Sequence, residues 1–279
     1  MVRKKYYIIV SLSIICVIIF YPLLKRNEKS MNYDIANEIK AFENERIFFG
    51  HKSVGSNILQ GISEISIKNH NERLAILNIN DASELPNTYL LEANIGDNGN
   101  PKGKIEEFAK LVNQMAQNRL TIAMMKLCFV DLKENSNIDD IFNYYSAKID
   151  SLRIIYPDLI IIHFTVPLTS KRTMLSMVKD FIKGRSNKSM LDNVIRNNYN
   201  KLIFSKYPNN LIFDLAKLES TYPDGTREQF IYNGKQYYSL VPGYTDDGGH
   251  LNEKGRQMVA KNLISFIAEK VSSKQSISN

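Results

Sequence analysis

Short apolar runs alternate along the chain with stretches in which apolar residues recur every three or four positions. The runs fall at Arg46–Phe49, Leu74–Ile79, Thr121–Val130, Leu159–Phe164 and Leu211–Phe213. Runs this short, without polar alternation, predict strands covered on both faces. Helical spacing occupies Asn57–Ile67, Lys104–Gln117, Ile138–Ile155, an interrupted pattern from Thr173 to Phe204, and Glu253–Val271. The alternation predicts a three-layer α/β/α domain around a mostly parallel sheet. Such sheets bind ligands beyond the carboxyl ends of their strands, which directs the search for chemistry to the strand-to-helix loops. One excursion interrupts the order between Leu218 and Thr245. There Pro223-Asp224-Gly225 marks a turn, and Asn233-Gly234 between EQFIY and KQYYSL marks a two-residue hairpin.

The amino-terminal pattern differs. Tyr6 to Leu24 carries no charge, and at about 1.5 Å per helical residue it matches a hydrocarbon layer of about 30 Å. Arg3, Lys4 and Lys5 precede it, and Lys25, Arg26 and Lys29 follow, so flanking charge is nearly balanced and the short head favours an inside amino terminus. No small-residue cleavage site follows, and Ile15 before Cys16 does not suit lipidation. The expected organisation is a cytoplasmic head (1–5), a transmembrane signal anchor (6–24), a juxtamembrane linker (25–45) merging into a short helix around Ile35 to Phe42, a domain (46–272) and a polar tail (273–279). The domain is expected outside the cytoplasmic membrane of a bacterium.

Composition excludes other classes. With 44% hydrophobic and 23% charged residues the chain is neither disordered nor collagen-like. Cys16 and Cys128 cannot pair if the first lies in a membrane, so no disulfide framework is expected. The net charge of +7 is spread thinly, but residues 170–200 contain Lys171, Arg172, Lys179, Lys183, Arg185, Lys188 and Arg196 against only Asp180 and Asp192. This reads as a basic helical insertion, either simply solvated or facing anions. No zinc finger or aromatic-and-basic strand occurs, so nucleic acid is not an expected partner.

Two loops carry candidate chemistry. The first run ends in Gly50-His51-Lys52-Ser53-Val54-Gly55-Ser56-Asn57, a serine at a strand-to-helix turn. It reads either as a helix cap or as a nucleophile whose developing charge gains from a helix amino terminus. The last loop, Asp246-Asp247-Gly248-Gly249-His250, precedes the final helix. It reads either as a turn and cap or as a carboxylate orienting a histidine base.

Together the loops resemble the SGNH/GDSL hydrolase family over roughly Arg46 to Val271, most specifically through Asp247-Gly-Gly-His250-Leu-Asn-Glu-Lys-Gly255. The resemblance implies a flavodoxin-like fold, with Ser53 as nucleophile, His250 as general base and Asp247 as its orienter. It also implies a backbone oxyanion donor at Gly96 or, failing that, Gly99, in Asn94-Ile95-Gly96-Asp97-Asn98-Gly99. The family's third block supplies an asparagine, but here Lys126-Leu-Cys128-Phe-Val130-Asp131 places Val130 in its position. Asn98, Asn135 or Lys126 are the candidates to replace it. His51, Lys52, Lys126 and Asp131 are expected as substrate contacts, His51 being a weaker alternative for the base. His163 is expected as a satisfied strand-end residue and His70 at the surface. The histidines lack metal-ligand spacing and no phosphate-cradling loop occurs, so neither metal nor cofactor is expected. The implied activity is a serine esterase removing small acyl groups, acetyl above all, from cell-surface carbohydrate. The alternatives are an O-acyltransferase acting on surface polysaccharide and a non-catalytic glycan-binding or assembly subunit.

Overall fold

The computed structural model describes residues 35–68, 74–81, 85–116, 119–171 and 188–278. The expected span at 6–24, His70 and most of the basic insertion lie outside them. Among the described residues no helix is long and apolar enough to cross a membrane.

Six strands form one sheet: β1 (Arg46–His51), β2 (Ile76–Asn78), β3 (Tyr89–Asn94), β4 (Ile122–Met125), β5 (Ile160–Phe164) and β6 (Ile212–Phe213). Their order is β2-β3-β1-β4-β5-β6, and every pairing is parallel. The helices are α1 (35–40), α2 (Val54–Lys68), α3 (Pro101–Met115), α4 (Ile138–Ile155), α5 (Lys188–Lys206), α6 (Leu215–Ser220) and α7 (Glu253–Ser278). A hairpin of β7 (Gln229–Tyr232) and β8 (Lys235–Tyr238) stands apart, with Asn233 and Gly234 both at positive φ as its two-residue turn requires.

Both faces of the sheet are covered, which explains the unalternated apolar runs. Ile47, Phe49, Met124 and Ile162 pack with α2 and α7, while Phe48, Ala123, Met125 and Ile161 pack with α3, α4 and α5. Gly61 permits close approach of α2 and α7: a Cβ there would lie 2.6 Å from the Arg256 carbonyl oxygen. An Arg256–Glu64 ion pair of 2.6 Å ties the same helices.

Three boundaries differ from expectation. Ile35, Ile39 and Phe42 are buried against the α2–α7 core, so the domain begins before residue 46. The final helix continues through Ser278, past the boundary expected for a polar tail. The β4 run ends at Met125 rather than Val130, because the backbone then leaves the ladder and makes a 3-10 turn at Phe129–Asp131. Strand β3 was not among the expected strands. It pairs with β1 from Arg46↔Tyr89 to His51↔Asn94, and this register sets the Gly96 loop beside the Ser53 loop.

Candidate active site

Strand β1, fourth from one edge and third from the other, ends at the serine loop. The chain reverses from strand into α2 at Ser53, which takes φ +58°, a left-handed conformation uncommon for a residue with a side chain. Gly55 completes the turn, since a Cβ there would lie 2.4 Å from the His51 Cβ.

The last loop closes on itself. Oδ1 of Asp247 accepts the N–H groups of Gly249 (2.9 Å) and His250 (2.8 Å) and the Thr245 hydroxyl (3.2 Å). Gly248, at φ +92°, makes the bend possible, and a Cβ on Gly249 would meet the Phe129 ring at 2.7 Å. Oδ2 of Asp247 lies 2.5 Å from His250 Nδ1, and His250 Nε2 lies 2.6 Å from Ser53 Oγ. With the carboxylate holding the ring proton on Nδ1, Nε2 is left to accept the serine O–H. The Leu251 N–H donates to Asn57 Oδ1 at 3.2 Å, pinning this loop to α2, and the Phe129 ring meets the imidazole edge-on. Burial would raise the Asp247 pKa, but the hydrogen bonds from the His250 ring and the two N–H groups outweigh it and hold the carboxyl well below the usual range. The structure therefore brings Ser53, His250 and Asp247 into one chain. Such a chain can draw a proton from the serine oxygen.

Other expected roles need correction. The Gly96 N–H donates to Glu107 (2.6 Å) and the Gly99 N–H to Asp131 (2.8 Å), so both are committed to carboxylates. Asn98 is exposed, with Oδ1 accepting from Lys104 at 2.9 Å; Asn135 is also exposed. Asp131 is buried in an ion pair with Lys104 at 2.7 Å and caps the Cys128 N–H at 2.6 Å, so it braces the loop instead of meeting substrate. His51 is buried, its Nε2 2.9 Å from Glu92, which also accepts from Asn78. Desolvation lowers the His51 pKa despite that carboxylate, and its ring does not join the Ser53 chain. Lys52 stays near the surface, bonded to the Gly96 carbonyl and 3.7 Å from Asp97.

Lys126 turns inward beneath the serine loop. Its Nζ donates to the Lys52 carbonyl (3.0 Å) and the Leu127 carbonyl (3.3 Å), and lies 3.7 Å from Cys128 Sγ. The Lys52 carbonyl also accepts from Cys128 Sγ (3.4 Å) and the Gly55 N–H (3.1 Å). In a trans peptide the C=O and N–H point in opposite directions, so the Ser53 N–H faces away from Lys126. That N–H has no acceptor among the described residues.

Nothing in the local pattern marks Arg196 beyond its place in the basic stretch. It is buried, not solvated, and donates to the Phe129 carbonyl, Thr169 and Asn193. His163 bonds the Tyr145 hydroxyl at 2.8 Å and stacks on Tyr207, away from the site. Among the described residues no three His, Cys, Asp or Glu side chains gather in a way that could hold a metal.

No protein-family profile matches the chain, and no curated protein does. Solved structures do. A peptidoglycan O-acetylesterase aligns over 87% of this chain and 96% of its own, with TM-score 0.53 and 10% identity. A carbohydrate esterase family 3 enzyme from Talaromyces cellulolyticus aligns over 82% and 97%, with TM-score 0.42 and 12% identity. The periplasmic domain of a lipopolysaccharide acetyltransferase from Salmonella ser. Paratyphi A aligns over 78% and 82%, with TM-score 0.42 and 13% identity. The likeness to the O-acetylesterase shows a shared α/β fold.

Proposed function

We propose that the protein is a serine-dependent esterase that removes small acyl groups, acetyl above all, from carbohydrate. The observation that carries this reading is the hydrogen-bonded chain from Asp247 through His250 to Ser53. Ser53 Oγ attacks the ester carbonyl while His250 Nε2 takes its proton; the imidazolium then protonates the departing alcohol oxygen, and water releases the acid from the acyl-serine. The Ser53 N–H binds the developing oxyanion. Lys126 fixes the direction of that N–H through the 52–53 peptide and makes it a stronger donor by drawing on the carbonyl at the other end. The O-acetylesterase that shares the fold supports a carbohydrate ester as substrate. The uncharged stretch at 6–24, read as a signal anchor, supports a location for this activity outside the cytoplasmic membrane.

The assembled chain favours catalysis over a purely glycan-binding role. Transfer of the acyl group to a sugar hydroxyl instead of water uses the same serine, so the two activities separate by acceptor. The test is hydrolysis of p-nitrophenyl acetate by the full-length protein beside Ser53→Ala and His250→Ala, with folding compared by circular dichroism. Both variants are expected to fall to the background rate. Equal rates in folded wild type and variants overturn the proposal.

A further inference from the structure

A cavity of about 290 Å³ opens beside His250, over the carboxyl ends of β4 and β5. Phe129, Lys133, Ser170, Asp192 and Arg196 face it across the 247–250 loop. We propose that this cavity is the subsite for the alcohol half of the ester and that it takes a single neutral sugar ring bearing the acylated hydroxyl. The proposal rests on the esterase reading of Ser53 and His250.

Position is the first ground. The Lys52 carbonyl points at Lys126 and Cys128, in the loop after β4, so the Ser53 N–H points away from that loop. The oxyanion therefore lies on the side away from the β4 loop. The leaving alcohol must lie within reach of the histidine that protonates it, and the cavity is walled by that histidine on the β4–β5 side.

Chemistry is the second ground. Arg196 is 3% exposed, and its Nε and Nη1 are held by the Phe129 and Leu132 carbonyls, Thr169 Oγ1 and Asn193 Oδ1. Its Nη2 is thereby aimed at Asp192 Oδ2, 3.5 Å away, too long for a good hydrogen bond. The other Asp192 oxygen is fixed by the Glu134 N–H at 2.8 Å. A ligand hydroxyl set between carboxylate and guanidinium donates to one and accepts from the other. Among the described residues, Lys133 Nζ has no ion-pair partner and Ser170 Oγ no hydrogen-bond partner. Phe129 and Val130 are the apolar side chains in the lining. A fatty alcohol would strip water from four charged groups and a hydroxyl without replacing its hydrogen bonds, whereas vicinal hydroxyls replace them. Two carboxylates, Asp192 and Asp247, balance two cations, Lys133 and Arg196, so the cavity does not recruit an anion. Its volume is at the lower edge of small-molecule sites, suited to one ring.

The test compares kcat/KM for a monoacetylated methyl glucoside, octyl acetate and p-nitrophenyl acetate in wild type, Lys133→Ala and Asp192→Asn. The sugar ester is expected to be the better substrate than octyl acetate. Each variant is expected to lose about 10- to 100-fold on the sugar ester, mainly through KM, and at least tenfold more there than on p-nitrophenyl acetate. Equal losses on both substrates, no loss, or faster turnover of octyl acetate overturn the subsite. Saturation-transfer NMR with methyl glucoside on the Ser53→Ala protein is read separately. A signal that Lys133→Ala and Asp192→Asn abolish supports the sugar subsite even if p-nitrophenyl acetate hydrolysis proves independent of Ser53, an outcome that removes only the esterase reading. Absence of any signal together with unchanged sugar-ester KM overturns it.

Discussion

Replacing Lys126 with methionine isolates the charge beneath the serine loop. The side chain is buried and of similar length, and the Lys52 carbonyl keeps its contacts from the Gly55 N–H and Cys128. Among the described residues the ammonium bonds carbonyls and a thiol but no carboxylate, so its removal leaves no opposite charge unpaired and ends the cost of burying it, and the melting temperature is expected to stay within a few degrees of wild type. Catalysis should respond more. The ammonium lies 3.0 Å from the Lys52 oxygen, and adding the width of the peptide and one further hydrogen bond places it about 8 Å from an oxyanion on the Ser53 N–H. At an effective dielectric near 20, unit charges about 8 Å apart interact by about 2 kcal/mol, or about 30-fold in rate. The oxyanion is absent from the ground state, so the loss belongs in kcat with KM little changed. Burial pulls the Lys126 pKa below its ordinary value, so the wild type should lose kcat on the alkaline side as the ammonium deprotonates, and Lys126→Met should lack that descent. Steady-state kinetics on p-nitrophenyl acetate across pH, with melts in parallel, read all three effects. Lys126→Gln, which keeps a donor without the charge, should fall between. A folded Lys126→Met protein with kcat within twofold of wild type refutes the reasoning, as does a change confined to KM.

Two further outcomes follow from the same geometry. Asp247→Asn retains an acceptor for the Gly249 and His250 N–H groups but presents N–H donors to Nδ1, forcing the wrong imidazole tautomer; kcat is expected to fall about 10³- to 10⁴-fold with the melting temperature nearly unchanged, measured by p-nitrophenol release and calorimetry. Glu219, on α6, is fully buried, accepts the Leu168 N–H on one oxygen, and leaves the other without a partner among the described residues; burial pushes its pKa up to about 8. The folded state then binds this proton more tightly than the unfolded chain, so its contribution is fully present below about pH 4.5 and is lost as pH rises through about 8, by at most about 5 kcal/mol. Glu219→Gln should flatten that decline, raising the melting temperature relative to wild type more at pH 8 than at pH 5; an equal change at both pH values contradicts a buried neutral carboxyl.

What the sequence disclosed and what it withheld divide along the reach of each contact. Runs of Ile, Phe and Met read as strands because both faces of the sheet are covered. Tyr89–Asn94 did not, because Leu91, Glu92 and Ala93 are strong helix formers; pairing with β1 and β2 on its two sides overrides that preference. The Asp247–His250 contact was legible because it closes within one turn, and the position of Ser53 because a strand-to-helix junction advertises itself in glycines. Nothing local tells which way a side chain turns at the carboxyl end of a strand. His51, Lys126 and Asp131 were expected toward substrate, yet each is claimed from within the fold, by Glu92, by the Lys52 carbonyl and by Lys104.

On the proposed esterase reading, the same non-local contacts bear on the oxyanion donor. Glu107 projects from α3 onto the Gly96 N–H, and Asp131 reaches across from the β4 loop to the Gly99 N–H. A carboxylate on an N–H both occupies it and sets a negative charge beside any oxyanion that would replace it, so neither glycine serves in this arrangement. The Ser53 N–H carries the opposite electrostatics, with an ammonium behind its peptide and no acceptor among the described residues. On the proposed esterase reading, the charge under the serine supports the oxyanion through the 52–53 peptide, and the loss of about 30-fold expected for Lys126→Met stays below the cost, about 10²- to 10³-fold, of removing an oxyanion donor itself, because the N–H remains in place.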